Sequence, residues 1–314
     1  MAEPTNRNNL STPPSCSPSP LIQEDPFWNE LKRNCIGCWS GGIIHTEYKH
    51  GDLIPVSNKM NMRLKVDIPE ESPDEGQWNV WNVKKEGDNI YIPIRRSHPD
   101  VEFPTHKFWF ERILLRTSKG GNVAMEVGFW DKLGDGMRRT VVVDYDGWDD
   151  KEESPNKKIH KSNVQNLSGV CIIQQKIKIS KGFIGNTTDD KEASILPEKY
   201  FQGSDSIAER LKCLKLVKSE CVEICGMKRS IVEMSEQEKK AVAQRVIADM
   251  NGSGSEERLT QTLPNRIALS LPITTKMETT LYLGNQFQDG KTVVLEVKFD
   301  NYEQVVNATL HIFN

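Results

Sequence analysis

The pair Cys35-x-x-Cys38, with Trp39 next to it, is the first place in this 314-residue chain where spacing suggests chemistry. A CxxC pair works as a redox centre when its first thiol opens a helix that follows a strand, because the helix end lowers the thiol pKa. Here the order is reversed. A short helical run, Pro26-Phe27-Trp28-Asn29-Glu30-Leu31-Lys32, comes first, and a strand-like run over 38–48 follows. Cys221 and Cys225 could supply two more thiols to a zinc site, but their spacing suits a zinc knuckle poorly and distant segments would have to meet. The expectation is buried free thiols and no metal site. The six histidines make no HxH or HExxH pattern; His45 falls on the first predicted strand and His106 at the start of the fifth. No GxSxG, P-loop or nucleotide-binding glycine pattern is present. Ser118-Lys119-Gly120-Gly121 lacks the glycine spacing and the following helix of a phosphate loop, so it reads as a hairpin turn.

Two further sets carry charge or aromatic surface. Glu126 with Arg138 and Arg139 would meet if their segments were adjacent strands. An ion pair at a barrel end, or an arginine stacked on Trp39, is favoured over acid–base catalysis. Trp39, Trp78, Trp81, Phe108, Phe110 and Phe129 either line an apolar pocket or fill a core, and both readings stay open. The candidate ligand-binding residues are therefore Trp39, Trp78, Trp81, Phe108, Glu126, Arg138 and Arg139. Trp148, beside an acidic run, is the candidate anchor for a protein partner; otherwise it pins a linker. No nucleophile or acid–base constellation can be named, so the chain is not expected to be an enzyme and no cofactor is assigned.

The elements that would position these residues are strands. From Cys38 to about residue 146, strand-length segments over 38–48, 53–66, 77–84, 89–95, 106–117, 122–130 and 137–145 alternate with turn signals such as His50-Gly51-Asp52 and Leu133-Gly134-Asp135-Gly136. Gly37-x-Trp39 opens the first: the glycine tolerates a sharp bend and the tryptophan plugs one end. Residues 1–25, rich in Ser and Pro, read as a disordered tail with no signal peptide or clear transit peptide. Residues 26–150 form a first barrel, 151–163 an acidic linker, and 164–314 a second, more divergent barrel. All seven tryptophans precede residue 150, which marks the halves as unlike. Asn166–Cys171 echoes Asn34–Trp39, and 293–299 echoes 123–129, suggesting a duplication. Residues 182–205 read as a loop, and 206–217 fit a helix or a strand. Ser235-Glu236-Gln237-Glu238 is a capping box before a helix that Asn251-Gly252 stops. Strands follow over 263–271, 277–287, 292–299 and 303–313, with Asp289-Gly290 as a hairpin turn. The fold class is thus all-β: two tandem calycin- or lipocalin-like antiparallel barrels with short accessory helices. A net charge of -3 gives no basic field for nucleic acid, and no apolar run approaches the ~20 residues of a membrane span. Seven cysteines, an odd number, fit a reducing compartment and a soluble intracellular protein.

Phe27-Trp28-x-x-Leu31, Gly37-x-Trp39-x-Gly41, Met125-Glu126-x-Gly128-Phe129 and Arg138-Arg139-x-Val141-Val142-Val143-x-Tyr145-Asp146 resemble a calycin-type family of unknown function. It is shared by cyanobacteria and plastid-bearing eukaryotes, includes the chloroplast ATP synthase biogenesis factor, and is distantly similar to phycobiliprotein chromophore lyases. Leu263-Pro264, Leu271-Pro272, Leu295-Glu296 and Ala308-Thr309-Leu310 fit its second barrel. The chain departs from the family pattern in carrying Cys171 where a second Trp would stand. The resemblance implies a non-enzymatic assembly or chaperone-like factor that binds a protein partner. The alternative it implies is a carrier or lyase holding a tetrapyrrole, pigment or lipid in the first barrel. It also implies a plastid location; without it, the expectation is cytoplasmic.

Overall fold

A computed structural model describes residues 33–56, 60–67, 75–82, 89–95, 105–110, 112–118, 124–145, 166–178, 207–223, 228–253, 256–263, 266–275, 279–299 and 305–314. The N-terminal tail, the helical run at 26–32, the acidic linker with Trp148, and residues 182–205 lie outside the described residues. What remains is almost entirely antiparallel sheet.

Strand β1, Gly37–Lys49, starts at the predicted glycine. Gly37 has φ 144°, in the half of backbone space that side chains disfavour, and a Cβ there would lie 2.9 Å from Ile177. Four residues on, a Cβ on Gly41 would lie 1.9 Å from the Gln174 carbonyl. The strand that crosses it can approach only because the side chain is absent. That strand is β10, Leu167–Lys178.

The first sheet continues through β2 (Asp52–Pro55), β3 (Met60–Asp67), β4 (Glu75–Asn82), β5 (Asn89–Arg95), β6 (Thr105–Phe110), β7 (Ile113–Ser118), β8 (Ala124–Asp131) and β9 (Met137–Tyr145). Its order is β5-β4-β3-β1-β10-β9-β8-β7-β6, with β2 also on β1. This is an up-and-down meander whose first and last strands pair with each other. The run 166–180, which the sequence assigns to the opening of a second barrel, instead lies between β1 and β9 in the first sheet, with Ile43 opposite Ile173 and Trp39 opposite Ile177. The echo at 166–171 thus lies in the same sheet as 34–39, where Cys171 faces His45 and Trp39 faces Ile177. The sequence predicts closed barrels, yet among the described residues β5 and β6 do not pair and the path stays open there. The single predicted strand over 106–117 is a hairpin, β6–β7, with Phe110 opposite Ile113.

The second sheet holds β11 (Leu216–Glu223), β12 (Lys228–Ile231), β13 (Arg258–Leu263), β14 (Ile267–Pro272), β15 (Thr279–Gln286), β16 (Thr292–Phe299) and β17 (Val305–Phe313). Its order, β12-β11-β17-β16-β15-β14-β13, repeats the design: first strand beside last, and a seam, here between β12 and β13. The ambiguous stretch resolves into both of its readings, helix α1 (Ile207–Leu211) and then β11. Helix α2, Glu236–Met250, lies in sequence between the two seam strands. Its capping box forms as predicted: Ser235 Oγ accepts from the Glu238 N–H, and the Glu238 carboxylate accepts from the Ser235 N–H at 2.7 Å. The buried stripe Ala243, Val246 and Met250 packs on Ala268, Tyr282, Val294 and Phe313.

The opposite face of this sheet meets the first sheet. Val127, Phe129, Val141, Val143 and Ile172 share one buried cluster with Leu269, Leu283, Leu295 and Leu310. The Tyr145 hydroxyl donates to the Pro272 carbonyl at 2.9 Å, and Asn166 forms a β-bridge with Thr274. Packed side chains thus fill the joint between the two sheets. Burying apolar surface at roughly 25 cal/mol per Å² makes such a joint costly to open.

Candidate functional site

Strand alternation sorts the predicted residues onto two faces. Trp130 of β8 lies directly opposite Arg138 of β9, Arg138 opposite Gln175 of β10, and Gly41 of β1 opposite Gln175. Trp39 therefore shares a face with Arg138, Trp130 and Glu126. Trp39 is 1% exposed, and its indole N–H donates to the Cys35 carbonyl at 2.9 Å, in the helical turn before β1. Its ring meets Trp130 edge-on, centroids 5.1 Å apart and planes at 86°. The arginine expected on Trp39 stacks instead on Trp130, with the guanidinium carbon of Arg138 4.7 Å from that ring. Arg138 also donates to the Gln175 side-chain carbonyl at 2.5 Å and to Glu126 at 3.2 Å. A buried cation is thus neutralised, hydrogen-bonded and stacked by its own chain.

Trp130 was not among the predicted residues. The signal was present: Glu126 and Trp130 share β8 parity, whereas Phe129 points the other way, into the core between the sheets. Arg139 also departs from its predicted neighbours. It sits on the opposite face from Arg138 and pairs with Asp135. Trp78 and Trp81 fall on β4, opposite Val66 and Arg63 of β3, and Phe108 falls on β6, opposite Leu115. Their side chains lie outside the described residues.

The thiols are quiet. Among the described residues Cys35, Cys38, Cys171, Cys213 and Cys221 form no disulfide; Cys35 is buried and Cys213 exposed. Burial, with Glu126 nearby, pushes the Cys171 thiol up to about 12. Among the described residues no three His, Cys, Asp or Glu side chains are grouped to hold a metal.

A second polar network was not predicted. Register places Ser219 of β11 opposite His311 of β17, with Glu296 one strand further on. Ser219 Oγ lies 2.9 Å from His311 Nδ1, and His311 Nε2 lies 3.0 Å from Glu296 Oε2. In the neutral ring, Nε2–H donates to the carboxylate and Nδ1 accepts from the serine hydroxyl. Arg245 of α2 donates to Glu296 at 2.8 Å and to the Tyr282 hydroxyl at 2.9 Å, and Tyr282 donates to Asp249 at 2.6 Å. Burial would raise the Glu296 carboxyl, but hydrogen bonds from His311 and Arg245 hold it at about 2. Burial also raises the Tyr282 hydroxyl, with Glu296 adding to it.

Hydroxyl, imidazole and carboxylate in a row is the arrangement of nucleophilic catalysis. Here it cannot act on a substrate. Ser219 is 1% exposed and His311 and Glu296 are each 2% exposed, sealed beneath α2. The network pins the helix to the sheet. A shallow cavity of about 180 Å³ lies at the end of α2, between Met250, Asn251, Thr260, Gln261 and Leu269. None of the predicted ligand-binding residues lines it.

No protein-family model matches the sequence, and no curated protein matches it either. Among solved structures, the fold is similar to a Nostoc punctiforme protein of unknown function from the DUF3598 family. The TM-score is 0.55 at 11% identity, over 92% of this chain and 98% of that one. The likeness is one of fold. No described helix is long and apolar enough to cross a membrane.

Proposed function

We propose that this protein works by binding another protein, as a non-enzymatic assembly or chaperone-like factor. One observation carries the reading: among the described residues, the two polar networks with groups able to do chemistry are consumed internally. Arg138 and Glu126 hold each other on the Trp39 face, and Ser219, His311 and Glu296 anchor α2. The calycin-type resemblance supports the same class and points to biogenesis of a photosynthetic or ATP synthase complex in a plastid. The solved neighbour from a cyanobacterium fits the breadth of that family and adds no activity.

A non-catalytic binder presents apolar side chains to solvent. Leu133, 77% exposed at the tip of the β8–β9 turn, is the most exposed of the large apolar residues described. The test is affinity capture from native extract with the wild type and Leu133→Asp, together with an absorbance scan and lipid analysis of the purified protein. A specific partner, recovered less well by the variant at equal stability, supports the proposal. Copurification of a tetrapyrrole, pigment or lipid without a protein partner overturns it in favour of the carrier or lyase alternative.

A further inference from the structure

Strand β12 ends the second sheet, and among the described residues nothing pairs with its outer side. The extended backbone continues to Val232, whose N–H donates to the Ser219 carbonyl at 3.0 Å. Antiparallel strands point alternate residues' N–H and C=O groups to opposite sides. Residues 230 and 232 therefore face β11, while 229 and 231 turn their backbone groups outward; the same alternation carried one residue past Val232 turns 233 outward too. Ile231 is 56% exposed and Val232 38%, with Val217 of the neighbouring strand 45% exposed. A bare edge with aliphatic residues beside it is a template for another strand.

We propose that two copies of this chain associate through β12, antiparallel about a two-fold axis, joining their second sheets into one. The register follows from parity. Hydrogen-bonded positions must face outward in both copies, so odd residues pair with odd residues. An axis at residue 231 sets Ile231 against Ile231 and places residue 229, an arginine, opposite residue 233, a glutamate, on both sides. An axis at 229 or 233 would oppose like charges, and an axis at 230 or 232 would oppose Ile231 to a charged residue. Basic residues on an edge ordinarily repel a second edge. Here the acidic residue four positions later converts that repulsion into complementarity. The surface is isologous, as a two-fold requires. The pairing spans about five residues and buries less than the ~1,000 Å² of a stable interface, so the dimer is weak and reversible.

Sedimentation of the full chain from about 1 μM to about 1 mM is the test. The wild type should pass reversibly from monomer to dimer within that range. Ile231→Pro removes an outward N–H and leaves the bonds to β11 intact, since proline is tolerated on the free side of an edge strand. It should abolish the dimer at an unchanged melting temperature. Arg229→Glu and Glu233→Arg should each weaken association about tenfold or more, and the double reversal should restore it. A monomer at every concentration overturns the proposal and means that another segment or a different partner covers the edge. A dimer indifferent to the charge reversals and their combination overturns it as well, even if the proline variant fails to fold.

Discussion

Trp39 and Trp130 stabilise the first sheet as a pair. Each is at most 1% exposed, and Trp130 seats the Arg138 guanidinium. Trp39→Ala should cost about 3–5 kcal/mol by urea unfolding, as for other core aromatic truncations. The double-mutant cycle with Trp130→Ala should return a coupling of about 1 kcal/mol for the edge-on contact. Additive losses would show that the rings act separately. Glu296 gives a prediction in pH. Its folded pKa of about 2 lies below the ordinary 4.5, so its contribution is full above the unfolded value and is lost as pH falls from about 4.5 towards 2. The loss is on the order of 3 kcal/mol, and Glu296→Gln should flatten this part of the stability–pH curve. A variant as steep as wild type between those values would refute the assignment. The Trp39 plug was legible because glycine and tryptophan two residues apart at a strand entrance have a local cause. The network around Glu296 was not. Ser219, Glu296 and His311 are single polar residues on three strands, joined only by register.

At the scale of elements, features with local causes could be read and those set by distant contacts could not. The capping box of α2 lies in four consecutive residues; Ser235→Ala should cost about 1 kcal/mol, measured by thermal unfolding. The Asp289-Gly290 turn is likewise local. The β6–β7 hairpin carries no glycine or proline at its turn. Arg112 holds it from outside: its guanidinium reaches Asp131 and Asp289, both at 2.9 Å, and lies 3.7 Å from the Phe287 ring. Its carbonyl accepts the Trp130 N–H at 2.8 Å. The predicted strand thus breaks at the charged pair Glu111-Arg112, where tertiary partners hold the arginine. The β1–β10 ladder is set by a close approach, so Gly41→Ala should displace one strand from the other. The expected loss is about 1–3 kcal/mol by urea unfolding, as for overpacked cores. Unchanged stability would mean that the ladder yields to a methyl group and that the close approach does not require glycine at 41.

At the scale of the molecule, the two sheets share one apolar core, so neither face can leave the other without exposing it. Hydrogen bonds from Tyr145 to the Pro272 carbonyl and from the Leu167 N–H to the Ile273 carbonyl cross the joint. The Arg112–Asp289 ion pair crosses it too. A chain of this length ordinarily invites independent domain unfolding. The shared core argues for one cooperative transition among the described elements. The tryptophans make this measurable. All seven precede residue 150, so indole fluorescence reports the first half alone, whereas far-UV circular dichroism reports both. Leu295 lies in β16, fully buried on the face that meets the first sheet. Leu295→Ala changes the half of the chain that holds no tryptophan and should cost about 2–5 kcal/mol as a core truncation. If the sheets unfold together, the fluorescence midpoint in urea falls by the same amount as the dichroism midpoint. If the dichroism curve splits and the fluorescence midpoint stays at its wild-type value, the sheets unfold separately and the shared core is too weak to couple them.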